Sequence, residues 1–287
     1  MALFRLLERG AARWPAASLR SQPEGLVLSF GDLERRAAAT AAALRDRGYR
    51  GGEALVSDLG NVSRNVVLQL ACSRLGVAYA TAKNAKALAA LTAAVDVRGA
   101  VVAAGGAGDA LSESLATIRA DDLFAEADRR LGDDASGAGA VHAYFNSTTP
   151  LANDEVDALA ADAAAHLELS AADTACVSIT LSHAFGAASA VGVCFSAGAS
   201  VALPNVDGIV GCGVPSERAA ATLACLERDA CTVLFADTHT LNALPADADL
   251  PALRTGVCKV ASGADFLDRS APFAGRHLWT LGKRAAS

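Results

Sequence analysis

The run Tyr144-Phe145-Asn146-Ser147-Thr148-Thr149-Pro150-Leu151-Ala152-Asn153-Asp154-Glu155-Val156 brings hydroxyl groups to the junction between an apolar segment (139–145) and one with helical patterning (155–169). Strand-to-helix junctions of this kind hold phosphates, because backbone N–H groups and the positive helix terminus face the anion. A working cradle needs glycines, so that the backbone can approach the oxygens, and a lysine to meet the charge. The run has neither. Pro150 lacks an N–H, and Asp154 and Glu155 stand where phosphates would lie. Thr148 and Thr149 remain able to meet an anion, or equally to cap the helix that follows.

Other chemistry-bearing residues are scattered. His183 either lines a ligand pocket or is a hydrogen-bonded histidine at a strand end. A pair of Cys176 or Cys194 with His183 would make a nucleophile and base, but no G-x-S-x-G elbow is present, and isolated cysteines in an alanine-rich chain read as small apolar fillers. The seven cysteines (72, 176, 194, 212, 225, 231 and 258) show no CxxC spacing, so neither a disulfide framework nor a zinc site is expected. Asp121-Asp122 and Asp133-Asp134 fall in a polar connection and read as solvated. Gly105-Gly106-Ala107-Gly108 follows a strand without the spacing of a dinucleotide loop and reads as a turn. No catalytic residue and no metal ligand is expected.

Composition bounds the partners. The chain has 287 residues, 52% of them apolar and 5% aromatic, with a net charge of −6. A core of Ala, Val and Leu suits helices packed closely on a sheet. The acidic balance argues against nucleic acid. The uncharged stretch 184–203 is rich in Gly, Ala and Ser and reads as a buried helix and strand rather than a membrane span. At the N-terminus, Arg5, Arg9 and Arg13 recur on one face while Leu3, Leu7 and Trp14 fall on another. This pattern fits either a mitochondrial presequence or an ordinary surface helix that opens the domain.

In chain order the pattern predicts strands at 26–30, 53–57, 77–80, 99–104, 175–181, 200–203, 232–235 and 257–261. Helices are expected at 33–47, 62–75 (after a turn at Gly60-Asn61), 85–95, 121–131, 155–169, 184–195, 216–229 (with Ser216 as its cap) and from Thr238 to about Leu244. Short apolar strands alternating with helices imply an α/β fold with doubly wound, mostly parallel sheets and flanking helices. The composition shift places two subdomains at 1–140 and 141–287.

Several local sequences, in this order, resemble the adenylate-forming superfamily of acyl-CoA synthetases, peptide-synthetase adenylation domains and luciferases. Phe4-Arg5-Leu6-Leu7 through Trp14-Pro15 and Leu28-Ser29-Phe30-Gly31-Asp32-Leu33 are similar to its opening helix and strand. Asp58-Leu59-Gly60-Asn61 and Leu75-Gly76-Val77-Ala78-Tyr79 are similar to its next landmarks. Tyr144–Val156 falls where that family has its S-G-T-T-G-x-P-K-G phosphate loop. Leu181-Ser182-His183-Ala184-Phe185-Gly186 resembles its histidine segment near the acyl pocket. Cys231 to Leu244 and Ala261-Ser262-Gly263-Ala264 resemble its threonine-bearing strand and the turn that lines the adenine pocket.

The resemblance implies an acyl-CoA synthetase-like N-terminal domain, truncated, with the C-terminal lid domain expected to be absent. It makes Thr148, Thr149, His183, Ser262, Gly263 and Ala264 the residues left from a nucleotide or acyl site. In the loop only Thr148, Thr149 and Leu151 match. Asn153 replaces the lysine and Asp154 the last glycine, each change worth roughly 3–4 kcal/mol at 4–6 Å before screening. The expectation is therefore a pseudoenzyme without cofactor, serving as a subunit of a larger, mitochondrial protein complex. Two alternatives stand beside it. One is a module that still binds ATP, AMP, CoA or an acyl-CoA; the other is an acid–thiol ligase completed by a second chain.

Overall fold

The computed structural model describes residues 2–104, 111, 113–206 and 213–283. The Gly105–Gly108 run and Cys212 lie outside the described residues. The chain forms two compact units that interleave in sequence: one takes 1–8, 31–59 and 64–157, the other 9–30, 60–63 and 158–287.

The first unit is built on a six-stranded sheet in the order β6-β5-β3-β4-β7-β8, from Ala54–Ser57 (β3), Ala78–Thr81 (β4), Val97–Val102 (β5), Thr117–Arg119 (β6), Val141–Phe145 (β7) and Leu151–Ala152 (β8). All its pairings are parallel except β7 with β8. Every residue of β3 and β4 is buried, which is why Ala54-Leu55-Val56 and Ala78-Tyr79-Ala80 read as apolar runs. Helices Phe30–Asp46 (α2), Ser63–Leu75 (α3), Ala85–Ala94 (α4) and Ala120–Arg129 (α5) follow the expected segments. Alanine lets α2 pack closely: Ala37, Ala39, Ala41, Ala42 and Ala43 are all buried. Because β8 turns back onto β7, the segment 141–157 folds with this sheet instead of opening a second subdomain at 141.

The second unit carries an eight-stranded sheet in the order β13-β14-β12-β11-β9-β10-β1-β2. Its strands are Ser18–Ser21 (β1), Leu26–Ser29 (β2), Thr174–Val177 (β9), Ser200–Leu203 (β10), Val233–Asp237 (β11), Thr255–Lys259 (β12), Asp265–Phe273 (β13) and Arg276–Gly282 (β14). Its core holds Cys176, Cys225, Leu226, Leu234, Leu253 and Cys258. All six described cysteines are buried free thiols. Helices Pro215–Arg228 (α8) and Thr238–Ala243 (α9) flank the sheet strands in sequence. Helix α1 (Ala2–Arg13) buries Leu3, Phe4, Leu6 and Leu7, so its amphipathic pattern has a place in the fold. Among the described residues no helix is long and apolar enough to cross a membrane.

Several expectations are corrected. A hairpin, β13–β14, follows 261, where no further strand was expected, closed by a turn at Ala274-Gly275 where both φ angles are positive. Its first strand contains charged residues and Pro272 and has register shifts, which blur the alternation. The helix expected at 184–195 is a π-helix over Phe185–Gly192 followed by a short α-helix, Val193–Ala197 (α7). Ser216 does not cap α8: Val214 is the cap residue, without a side-chain bond, and Pro215 occupies the first turn. Thr238 opens α9 as expected, and Asp237 before it caps the helix by accepting the Thr240 N–H.

Candidate functional site

The loop after β7 satisfies its own backbone. Asn146 donates its N–H to Thr81, at the carbonyl (3.0 Å) and the hydroxyl (3.1 Å). Thr149 donates to the Ser147 hydroxyl at 2.9 Å, and Pro150 has nothing to donate. Helix α6 begins at Asn153 and runs to Leu167. Its start is held by the Glu155 carboxylate, which reaches back to the Ala152 N–H at 2.7 Å in the manner of a capping box. Thr148 and Thr149 are exposed, and neither hydroxyl caps the helix, because acidic side chains already do so.

Asn153 stands where the phosphate-loop pattern has its lysine, and its amide is fully committed to the fold. Its Nδ2 donates to the carbonyls of Gly139 (2.9 Å) and Ala140 (3.1 Å), and its Oδ1 accepts the Ala2 N–H at 2.9 Å. Its backbone N–H donates to Ala140 as well. One residue thus ties α6, the entry to β7 and the start of α1. Such a set of bonds, each worth about 1 kcal/mol, is incompatible with a side chain that leaves to meet a ligand. On β7 itself, His142 is 1% exposed, and neither ring nitrogen has a hydrogen-bond partner among the described residues. Burial drives its pKa down to about 3, so the ring is neutral.

His183 lies in the second unit, in the segment that joins β9 to the π-helix. Asn61 pins this segment from both sides: its Nδ2 donates to the Ile179 carbonyl at 2.7 Å and its Oδ1 accepts the Leu181 N–H at 2.9 Å. Gly186 lets the π-helix start against the segment, since a Cβ there would meet the Thr180 oxygen at 2.2 Å. His183 itself is half-buried, and its Nδ1 accepts the Phe185 N–H at 3.1 Å. Burial, helped by the charge of Lys259, holds its pKa down at about 4.

Lys259, at the end of β12, was not singled out by sequence. It is half-buried, donates its Nζ to the Gly263 carbonyl at 2.6 Å, and sits 5.7 Å from the centroid of the Phe185 ring. Burial lowers its pKa. Gly263 has φ +98°, and a Cβ there would meet the Gly282 backbone at 2.7 Å, so the Ser262-Gly263-Ala264 turn is seated on the end of β14. The structure therefore brings together His183 and Gly263 through Phe185 and Lys259, with Ser262 exposed and Ala264 half-buried beside them. Thr148 and Thr149 belong to the other compact unit. A lone lysine in the apolar run Val257-Cys258-Lys259-Val260 was the signal that could have found this residue. Among the described residues no group of His, Cys, Asp and Glu side chains is arranged to hold a metal.

No protein-family model matches the sequence, and no curated protein matches it. Solved structures do. The complex of VinN with 3-methylaspartate is similar at a TM-score of 0.76 and 18% identity, over 97% of this chain and 77% of that one. The AMP complex of O-succinylbenzoate coenzyme A synthetase from Bacillus subtilis is similar at 0.71 and 16% identity, over 88% of this chain and 66% of that one. The AMPPNP-bound nonribosomal peptide synthetase FmoA3 is similar at 0.76 and 18% identity, over 99% of this chain and 31% of that one. Sheet order, mostly parallel pairing and these similarities agree: the chain has the fold of the large N-terminal domain of the adenylate-forming enzymes.

Proposed function

We propose that the chain is a catalytically inactive, acyl-CoA synthetase-like protein that serves as an accessory subunit of a larger protein complex. The observation that carries this reading is the loop after β7. The N–H groups of Asn146, Thr149, Ala152 and Asn153 are bound within the protein, Pro150 has none, and the residue in the lysine position is tied down by three bonds. Asp154 and Glu155 add negative charge where a triphosphate would need positive charge. A partner is supported by β2, an edge strand on which Leu26 and Val27 are 44% and 65% exposed. The mitochondrial address proposed for the complex rests on the exposed basic face of α1, Arg5, Arg9 and Arg13, and cell fractionation tests it. ATP–pyrophosphate exchange, assayed with the chain alone and in its native complex across a panel of small acids, tests inactivity. No exchange is expected in either; exchange dependent on one acid would overturn the reading. A well-behaved monomer in size-exclusion of the isolated chain would count against the accessory role.

A second reading, a module that retains ligand binding without turnover, is favoured by the half-buried His183 and Lys259 beside the Ser262-Gly263-Ala264 turn. The structurally similar VinN is seen with aspartate-type ligands and the synthetase from Bacillus subtilis with AMP, which makes small acids and adenosine nucleotides the first ligands to try.

A further inference from the structure

We propose that the cavity around Arg98 and the Tyr49 hydroxyl, at the start of β5 and β6 in the first unit, binds the phosphate group of a small phosphomonoester. The site is separate from the loop after β7. β5, β6 and β7 run in one direction within one sheet, which puts the cavity and the loop at opposite ends of it.

The cavity measures about 380 Å³ and is lined by Arg47, Tyr49, Arg98, Ala116, Thr117 and Ile118, with no acidic side chain among these described residues. Small-molecule sites span about 300–1,000 Å³, so there is room for more than a lone oxyanion. The backbone shapes it. Helix α2 ends in a Schellman-type bond, from the Tyr49 N–H to the Leu44 carbonyl at 3.1 Å, around Gly48 at φ +93°. A Cβ at Gly48 would meet the Arg98 Nη2 at 2.9 Å, and one at Gly99 would meet the Tyr49 hydroxyl and the Ala116 carbonyl, both at 2.6 Å. Glycine at both positions makes room for the two polar groups. Tyr49 is 4% exposed, yet its hydroxyl has no hydrogen bond among the described residues. A phenol buried in a cavity wall without a partner is unfavourable until something in the cavity answers it. Burial pushes its pKa up to about 12, so it stays a donor. Arg47 is already committed, its Nη1 to the Ala43 carbonyl at 3.2 Å and its Nη2 to Glu126. Arg98 has no ion pair or hydrogen bond among the described residues, and its exposed guanidinium keeps a whole fork of donors. A carboxylate would be satisfied by that fork and leave the phenol unanswered, whereas a phosphate has a third oxygen for the Tyr49 hydroxyl. Ala116 and Ile118 give the organic part of the ester an apolar wall.

A heteronuclear NMR titration of the full chain with glycerol 3-phosphate, inorganic phosphate, acetate and glycerol, at matched ionic strength, tests the site. Glycerol 3-phosphate should bind with a dissociation constant on the order of 1–5 mM and shift the amide signals of Gly48, Tyr49 and Gly99. Inorganic phosphate should bind at least about threefold more weakly and acetate at least about 10-fold more weakly, and glycerol should shift none of these signals. Arg98→Gln should weaken the ester by at least about 10-fold, and Tyr49→Phe, which keeps the ring and removes the donor, by about threefold. Lys283→Gln removes the same charge from an exposed position of the other unit and should change nothing. Arg98 is exposed, so its variant keeps the fold and decides the matter even if Tyr49→Phe loses stability. No binding up to about 20 mM, binding that survives Arg98→Gln, or shifts confined to other residues would overturn the site. Acetate as tight as the ester would overturn the phosphate assignment, and inorganic phosphate as tight as the ester would overturn the organic ligand.

Discussion

The loop after β7 and the cluster of His183 and Lys259 around Phe185 have treated their polar groups in opposite ways. In the loop, Asn153, Glu155 and Ser147 answer backbone groups of the protein itself, and the adjacent His142 is sealed in the core as a neutral ring. Around Phe185, Lys259 and His183 are half-buried with donors to spare. Closing a site onto itself converts binding energy into folding energy. Leaving one open stores an unfavourable charge that a ligand can relieve. The two regions should therefore respond to substitution with opposite signs: changes in the loop cost stability, while neutralising the Lys259 charge does not.

The largest effect should come from pH. The His142 pKa is lowered from 6.5 to about 3 in the folded chain. The unfolded state thus takes up the proton first, so stability is full above pH 6.5 and falls as pH drops toward 3, by up to about 4 kcal/mol. Urea unfolding of His142→Leu across that range should show a flatter pH profile than the parent; an unchanged profile would mean the ring is not buried neutral. Next is Asn153→Lys, which restores the residue type of a phosphate loop. It removes the bonds to Gly139, Ala140 and Ala2, and should cost about 2–3 kcal/mol in the same measurement. A neutral or stabilising outcome would break the comparison. Glu155→Ala, which frees the Ala152 N–H, should cost about 1 kcal/mol. Lys259→Met, by contrast, relieves a half-buried charge and should leave the unfolding free energy within about 1 kcal/mol of the parent, on the stabilising side.

A further point of reference lies away from both regions. Asp173 accepts the Ser170 N–H, the Thr232 hydroxyl and two bonds from Arg254, which also donates to the carbonyls of Leu167 and Glu168. Burial alone would raise the Asp173 pKa, but these donors outweigh it and bring it down to about 2. Its contribution is therefore present above pH 3.8 and is lost as pH falls to about 2, so it overlaps the His142 range only between about 3 and 3.8, and the two effects can be told apart in one titration.

The alternation of apolar strands and alanine-rich helices was legible because central parallel strands such as β3 and β4 are buried on both faces and are apolar up to a single hydroxyl residue, Ser57 or Thr81, at their ends. β1 and β13 escaped because neither carries such a run. Ser18–Ser21 offers one large apolar side chain, and β13 mixes Asp268, Arg269 and Pro272 into its length, so pairing, rather than pattern, makes them strands. The π-helix was invisible because Gly, Ala, Ser and Val serve either helical hydrogen-bond pattern. In the candidate site, the sequence showed Asn153 where the phosphate-loop pattern has a lysine, but not that it is a structural clamp, since its partners at 139, 140 and 2 are set by tertiary placement. Lys259 was hidden inside a run read as strand interior.

The most direct measurement of the central claim is a calorimetric titration of the intact chain with magnesium ATP at physiological ionic strength. The account predicts no binding tighter than about 1 mM, because the N–H groups of Asn146, Thr149, Ala152 and Asn153 are occupied and the loop's charge is negative. A dissociation constant in the micromolar range would show that the loop opens to admit a nucleotide and would contradict it.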